Sequence, residues 1–140
     1  MEADKLEFKD RITLALKTLR EYQKPSYLKA AIQLANSFGP FIVLWAIMYN
    51  LWDYSKLAVF ALAILNAFFL VRIFIIQHDC GHNSFVKSQN MRHIVGYVCS
   101  LFSGIPYFYW AKSHHFHHNH NGMLEFRDIG DLDTLTVKEF

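Results

Sequence analysis

Apolar positions are gathered into runs along this chain, and the runs differ in kind. The first 29 residues are mixed, with Lys5, Lys9, Arg11, Lys17, Arg20, Lys24 and Lys29 set against Glu2, Asp4, Glu7, Asp10 and Glu21. Within them Phe8, Ile12, Leu16 and Leu19 recur at helical spacing, while Lys9, Thr13, Lys17 and Arg20 fall on another side. That pattern predicts an amphipathic helix, lying either in a membrane interface or against the rest of the protein as a surface helix. It is not a secretory signal peptide, which places a short apolar core directly behind a few basic residues.

Residues 30–52 contain no Asp, Glu, Lys or Arg, and their heart runs from Phe38 to Trp52. A helix rises about 1.5 Å per residue, so roughly 20 residues cross a hydrocarbon core of about 30 Å. The stretch is long enough, and Gly39-Pro40 is expected to kink it or to mark its true start. Asp53-Tyr54-Ser55-Lys56 is a short polar turn, after which Leu57 to Ile76 form a second span. Arg72 sits near the end of that span, where its head can snorkel to the interface. So short a turn makes the spans a hairpin. The N-terminus and the chain from His78 onward then share one side, which holds most Lys and Arg and is therefore cytoplasmic. A third uncharged stretch, His93 to Ala111, is interrupted by Gly96, Gly104 and Pro106 and carries Ser100 and Ser103. That composition suits a re-entrant segment better than a clean span. The expected fold is all-α and integral to the membrane: an interfacial N-terminal helix, a two-span hairpin, then a re-entrant apolar segment.

Composition agrees. The chain of 140 residues is 53% hydrophobic and 19% charged, against about 45–50% and about 25% for a soluble domain. This excludes a disordered chain. A net charge of +2 without a basic run excludes a nucleic-acid partner. Cys80 and Cys99, the two cysteines, make neither a disulfide framework nor a thiolate zinc cluster.

Histidine changes the picture, because all eight lie between His78 and His120. His78-Asp79-Cys80-Gly81-His82 follows the second span directly. If the helix continues, His78 and His82 are four apart and share a face, suited to one metal. In His114-His115-Phe116-His117-His118, positions 114, 117 and 118 can share a face, whereas His115 and His120 point elsewhere. Neutral imidazole is the commonest protein ligand for iron, copper and zinc. A ligating ring also donates from its far nitrogen to a carboxylate, carbonyl or water. Asp79, Asn83, Asn119 and Asn121 stand close enough in sequence for that supporting role, as do His115 and His120. A lone interfacial histidine needs no metal, and His93, without a partner at ligand spacing, is read that way. Five imidazoles at these two spacings point to a metal site.

These residues resemble the membrane fatty acid desaturases. His78 to Phe85 is similar to that family's first histidine box, and Gly104 to His114 to the approach to its second. His114, His117 and His118 match the H-x-x-H-H pattern of the second box. Arg127-Asp128-Ile129-Gly130-Asp131 through Thr136 is similar to bacterial acyl-chain desaturases. The resemblance implies a histidine-ligated di-iron centre at the cytoplasmic membrane face, with His78, His82, His114, His117 and His118 as ligands. It implies O₂ as co-substrate, an acyl chain as substrate, a carbon–carbon double bond as product, and ferredoxin or cytochrome b5 as electron donor. A lipid hydroxylase or ketolase of the same histidine-box type is the alternative enzyme, and an inactive metal-binding membrane fragment the alternative outside catalysis.

The family carries a third histidine box and a second pair of spans further on, and this chain has neither. Two irons need roughly five or six ligands each, more than five imidazoles supply. Thr136-Val137-Lys138-Glu139 has the form of a capping box, in which Thr and the Glu three residues on satisfy each other's backbone at a helix start. Residues 1–140 are accordingly expected to be the N-terminal part of a longer desaturase.

Overall fold

The computed structural model describes residues 2–22, 24–120 and Met123. These residues form five α-helices and no strand: α1 (Glu2–Tyr22), α2 (Tyr27–Leu51), α3 (Lys56–Gly81), α4 (Gln89–Ser103) and α5 (Tyr107–His120). The segment from Arg127 to Glu139, with its capping box, and Asn121 lie outside the described residues.

A serine opens each of α2, α3 and α4. Ser26, Ser55 and Ser88 take extended backbone, and their hydroxyls accept from the N–H three residues on, at 3.5, 3.2 and 3.4 Å. Each thereby satisfies a donor that the helix itself leaves open. α2 and α3 have 25 and 26 residues and are long and apolar enough to cross a membrane. They pack as a hairpin closed by the Trp52–Ser55 turn, where the N–H groups of Tyr54 and Ser55 donate to the Leu51 carbonyl at 3.0 Å.

α2 begins at Tyr27 and runs through Pro40 without interruption, so Gly39-Pro40 is not its start. Proline removes one backbone donor, which a long apolar helix tolerates because the remaining groups find no better partner outside it. α3 likewise continues past Ile76 to Gly81. Arg72 is thereby set further from the helix end than expected, and its Nε donates to the buried Ser37 hydroxyl of α2 at 3.4 Å. Phe8, Ile12, Leu16 and Leu19 of α1 are all exposed, so this face of the helix is not packed on the rest of the described chain.

The side chains of α2 and α3 point mostly outward. Trp45, Phe60, Ile64 and Phe68 are each more than half exposed. An apolar surface this continuous is costly in water and at home in hydrocarbon. The packed core lies at the other end, where α3 meets α4 and the loop between them. Ile73, Ile76, Cys80, Phe85, Val86, Cys99 and Tyr107 are buried there. α4 stops at Gly104, whose left-handed φ of 71° suits a residue without a Cβ. Pro106 follows, and α5 leaves at 100° to α4. The bend returns the chain to the His78 end of α3.

Candidate metal centre

The helical register of α3 survives to its last residue. The His82 N–H donates to the His78 carbonyl at 3.1 Å, which keeps the two rings on one face with centroids 4.4 Å apart. Asn83 then takes φ 60° and ends the helix, a left-handed position asparagine tolerates better than most. In α5, His114 and His118 are four apart, with ring centroids 4.5 Å apart.

The two pairs face each other across the α3–α5 contact. His114 Nε2 lies 3.1 Å from the Nε2 of each of His78, His82 and His118. His78, His82 and His114 form a trio able to hold a metal ion, each offering one nitrogen within 4.8 Å of the others. Hydrogen bonding cannot account for this arrangement. A neutral ring nitrogen carries either one proton or one lone pair, so His114 Nε2 cannot serve three nitrogens at once. A cation can. With metal–nitrogen bonds of about 2.0–2.1 Å, neighbouring ligand nitrogens sit about 3.0–3.4 Å apart. The donor set fits a borderline ion such as iron or zinc.

The cluster is held ready for that role. A carboxylate only accepts, so His78 Nδ1 donates to Asp79 Oδ1 at 3.3 Å, leaving its Nε2 lone pair facing the centre. Burial, then the neighbouring imidazoles of His78 and His118, lower the pKa of His82, and the same causes bring His114 down to about 4. Both rings are neutral at physiological pH, the form that binds metal. Trp110 stacks on His114 at 4.5 Å and lies 5.5 Å from His78, touching both clusters. Gly81 makes room for it, since a Cβ there would stand 3.3 Å from the indole.

The remaining histidines are placed differently. The His117 ring centre is 6.1 Å from that of His114. His115 is exposed. His120 donates from Nδ1 to the Phe116 carbonyl at 2.9 Å and stacks on that ring. Asn83 and Asn119 are exposed. His93 is half-buried, its Nδ1 3.4 Å from the Tyr107 hydroxyl.

Gln77 escaped the sequence reading. It is fully buried, its Nε2 donates to the Ile105 carbonyl at 3.0 Å, and its Oε1 accepts from the Ser103 hydroxyl at 2.8 Å. It thus ties the residue before His78 to the bend that launches α5. A lone glutamine inside an apolar run, next to a histidine box, was the available signal. Replacing Gln77 by Leu is expected to cost about 1–3 kcal/mol by stranding buried polar groups. It should also weaken metal binding, because the two clusters lose a common anchor. Thermal unfolding and a cobalt titration of the variant in detergent read both effects. Unchanged values would leave Gln77 a packing residue only.

Residues 55–137 match the model of the Fatty acid desaturase family. The chain is 40% identical over 124 residues to "Fatty acid desaturase" of Bacillus subtilis (strain 168), covering 89% of this chain and 35% of that protein. It is 42% identical over 53 residues to "Omega-3 fatty acid desaturase, endoplasmic reticulum" of Nicotiana tabacum, covering 38% of this chain and 14% of that one. It is 40% identical over 53 residues to "Acyl-lipid omega-3 desaturase (cytochrome b5), endoplasmic reticulum" of Arabidopsis thaliana, covering 38% and 14%. The chain therefore spans about a third of the bacterial relative's length and less of the plant ones. No solved structure matches it.

Proposed function

We propose, for a chain that belongs to the fatty acid desaturase family, that it forms the N-terminal part of an enzyme introducing a carbon–carbon double bond into an acyl chain. The observation that carries this reading is the meeting of the two clusters at His114, whose Nε2 lies 3.1 Å from the Nε2 of each of His78, His82 and His118, with His78, His82 and His114 close enough together to share one ion. These four, with His117 beside them, would hold iron, and ligands from beyond residues 1–140 would complete a di-iron site.

Bound iron would supply O₂ activation and attack on methylene C–H bonds, which side-chain acids and bases cannot break. The residues of this chain do the rest. Asp79 fixes the tautomer of His78. Trp110 holds the His114 ring in place by stacking and packs at a tilt against the His78 ring. The outward apolar surfaces of α2 and α3 lead an acyl chain along the membrane to the histidine end. Holding the chain in one register is what selects the methylene pair attacked. Electrons would come from a ferredoxin or cytochrome b5 donor. In this reading α1 lies in the interface, the α4–α5 bend is re-entrant, and the histidines face the cytoplasm of a bacterium.

The test is acyl-chain analysis of cells expressing the full-length protein. His82→Ala or His117→Ala should abolish the new double bond, and His115→Ala should spare most of it. Hydroxylated or keto products in place of unsaturated ones would move the assignment to a related histidine-box enzyme. Full activity in His82→Ala would remove the ligand assignment.

A further inference from the structure

His82 borders a second space besides the metal cluster. A cavity of about 590 Å³ opens between the start of α2 and the turn after α3, with Lys24, Lys29 and Gln33 on one side and His82 and Ser84 on the other. Pro25, Ala30 and Phe85 give part of it an apolar wall. Two lysines outnumber the single carboxylate on its lining. Neither lysine has an ion-pair partner among the described residues. Asp79, the carboxylate on the lining, is engaged by His78 Nδ1. The first turn of α2 carries no acidic residue. The lining thus sets two ammonium groups against one carboxylate, a net positive charge that favours an anion.

Place then identifies the anion. The cavity sits where α2 enters its apolar run and where α3 leaves its own. In the reading of these helices as membrane spans, on which this inference rests, that level is the headgroup layer. Anionic lipids are concentrated there and basic side chains collect them. A soluble anion has no use for the apolar wall, whereas the glycerol and first methylenes of a lipid do.

We propose that this cavity seats the phosphate of an anionic membrane phospholipid, held by Lys24 and Lys29 and covering His82 on that side. The experiment is native mass spectrometry of the full-length protein in detergent, with phosphatidylglycerol, phosphatidylcholine and inorganic phosphate as probes. Phosphatidylglycerol should be retained one to one in preference to phosphatidylcholine. Lys24→Gln with Lys29→Gln should weaken retention about thirtyfold, and Lys24→Arg with Lys29→Arg should preserve it. Equal retention of both lipids, or retention that survives the glutamine pair, would overturn the proposal. So would displacement by inorganic phosphate at the lipid's own concentration, which would make the ligand a soluble phosphate. Ferrous iron binding is read on the same samples and should be unchanged in the lysine variants. Lost lipid preference with iron retained counts against this inference. Lost iron with lipid preference retained counts against the desaturase reading.

Discussion

Replacing His114 by alanine is expected to abolish metal binding by this chain. Its Nε2 stands 3.1 Å from three other ring nitrogens, two from the end of α3 and one from its own helix. It is the atom through which the two clusters meet. Loss of a residue that merely supports a ligand weakens metal affinity 10–100-fold, so loss of this shared ligand should exceed about a hundredfold. His115→Ala, one residue away and exposed, should leave affinity unchanged. The metal-free protein should respond in the opposite direction. Burial, then the neighbouring imidazoles, hold His114 at about 4 against an ordinary 6.5. Between those pH values the unfolded chain binds the extra proton, so metal-free stability falls as pH falls through that window. Removing His114 removes that loss, and His114→Ala should be less acid-sensitive than the unaltered chain between pH 6.5 and 4. Cobalt titration and unfolding at several pH values in detergent measure both. A variant that binds metal within tenfold of the original would sink the hub assignment.

How far the sequence could carry these conclusions depended on the range of each interaction. The hairpin was legible because its signal is local: two uncharged runs of span length with a polar turn between them. The pairing within each histidine cluster was legible because residues four apart on a helix must share a face. Spacing put His114, His117 and His118 on one face together, since three and four residues both bring rings near. The structure converges the nitrogens of the four-apart pair. Gly39-Pro40 misled as a helix boundary because breaker rules are drawn from water, where a freed backbone group has solvent to turn to. Gln77 and Ser103 stayed hidden for another reason. They are 26 residues apart, and a contact at that range leaves no periodic trace. The same holds for the lysine-lined cavity, whose two walls come from opposite ends of the hairpin.

Gly96→Ala is the substitution expected to unsettle the fold most. A Cβ at that position would stand 2.5 Å from Tyr107 Cε2, with two more ring atoms at 2.6 and 2.7 Å. The tyrosine has nowhere to retreat. It is 3% exposed, edge-on to Tyr97 at 5.5 Å, and its hydroxyl meets His93 Nδ1 at 3.4 Å. Overpacking of this kind costs about 1–3 kcal/mol, which outweighs the gain of up to about 1 kcal/mol from replacing a helical glycine by alanine. Gly39→Ala supplies the control. A Cβ there meets nothing within 4 Å, so the propensity gain stands alone and that variant should be slightly more stable. The two glycines also differ in what they position. Tyr107 is the first residue of α5, so a displacement of its ring is carried along the helix to His114. Gly96→Ala should therefore lose metal affinity as well as stability, although Gly96 touches no histidine of the cluster. Paired unfolding and cobalt titrations of the two variants decide it. If Gly96→Ala matched Gly39→Ala in both, the α4–α5 contact would have no part in setting the centre, and the clusters would owe their meeting to Gln77 and Trp110 alone.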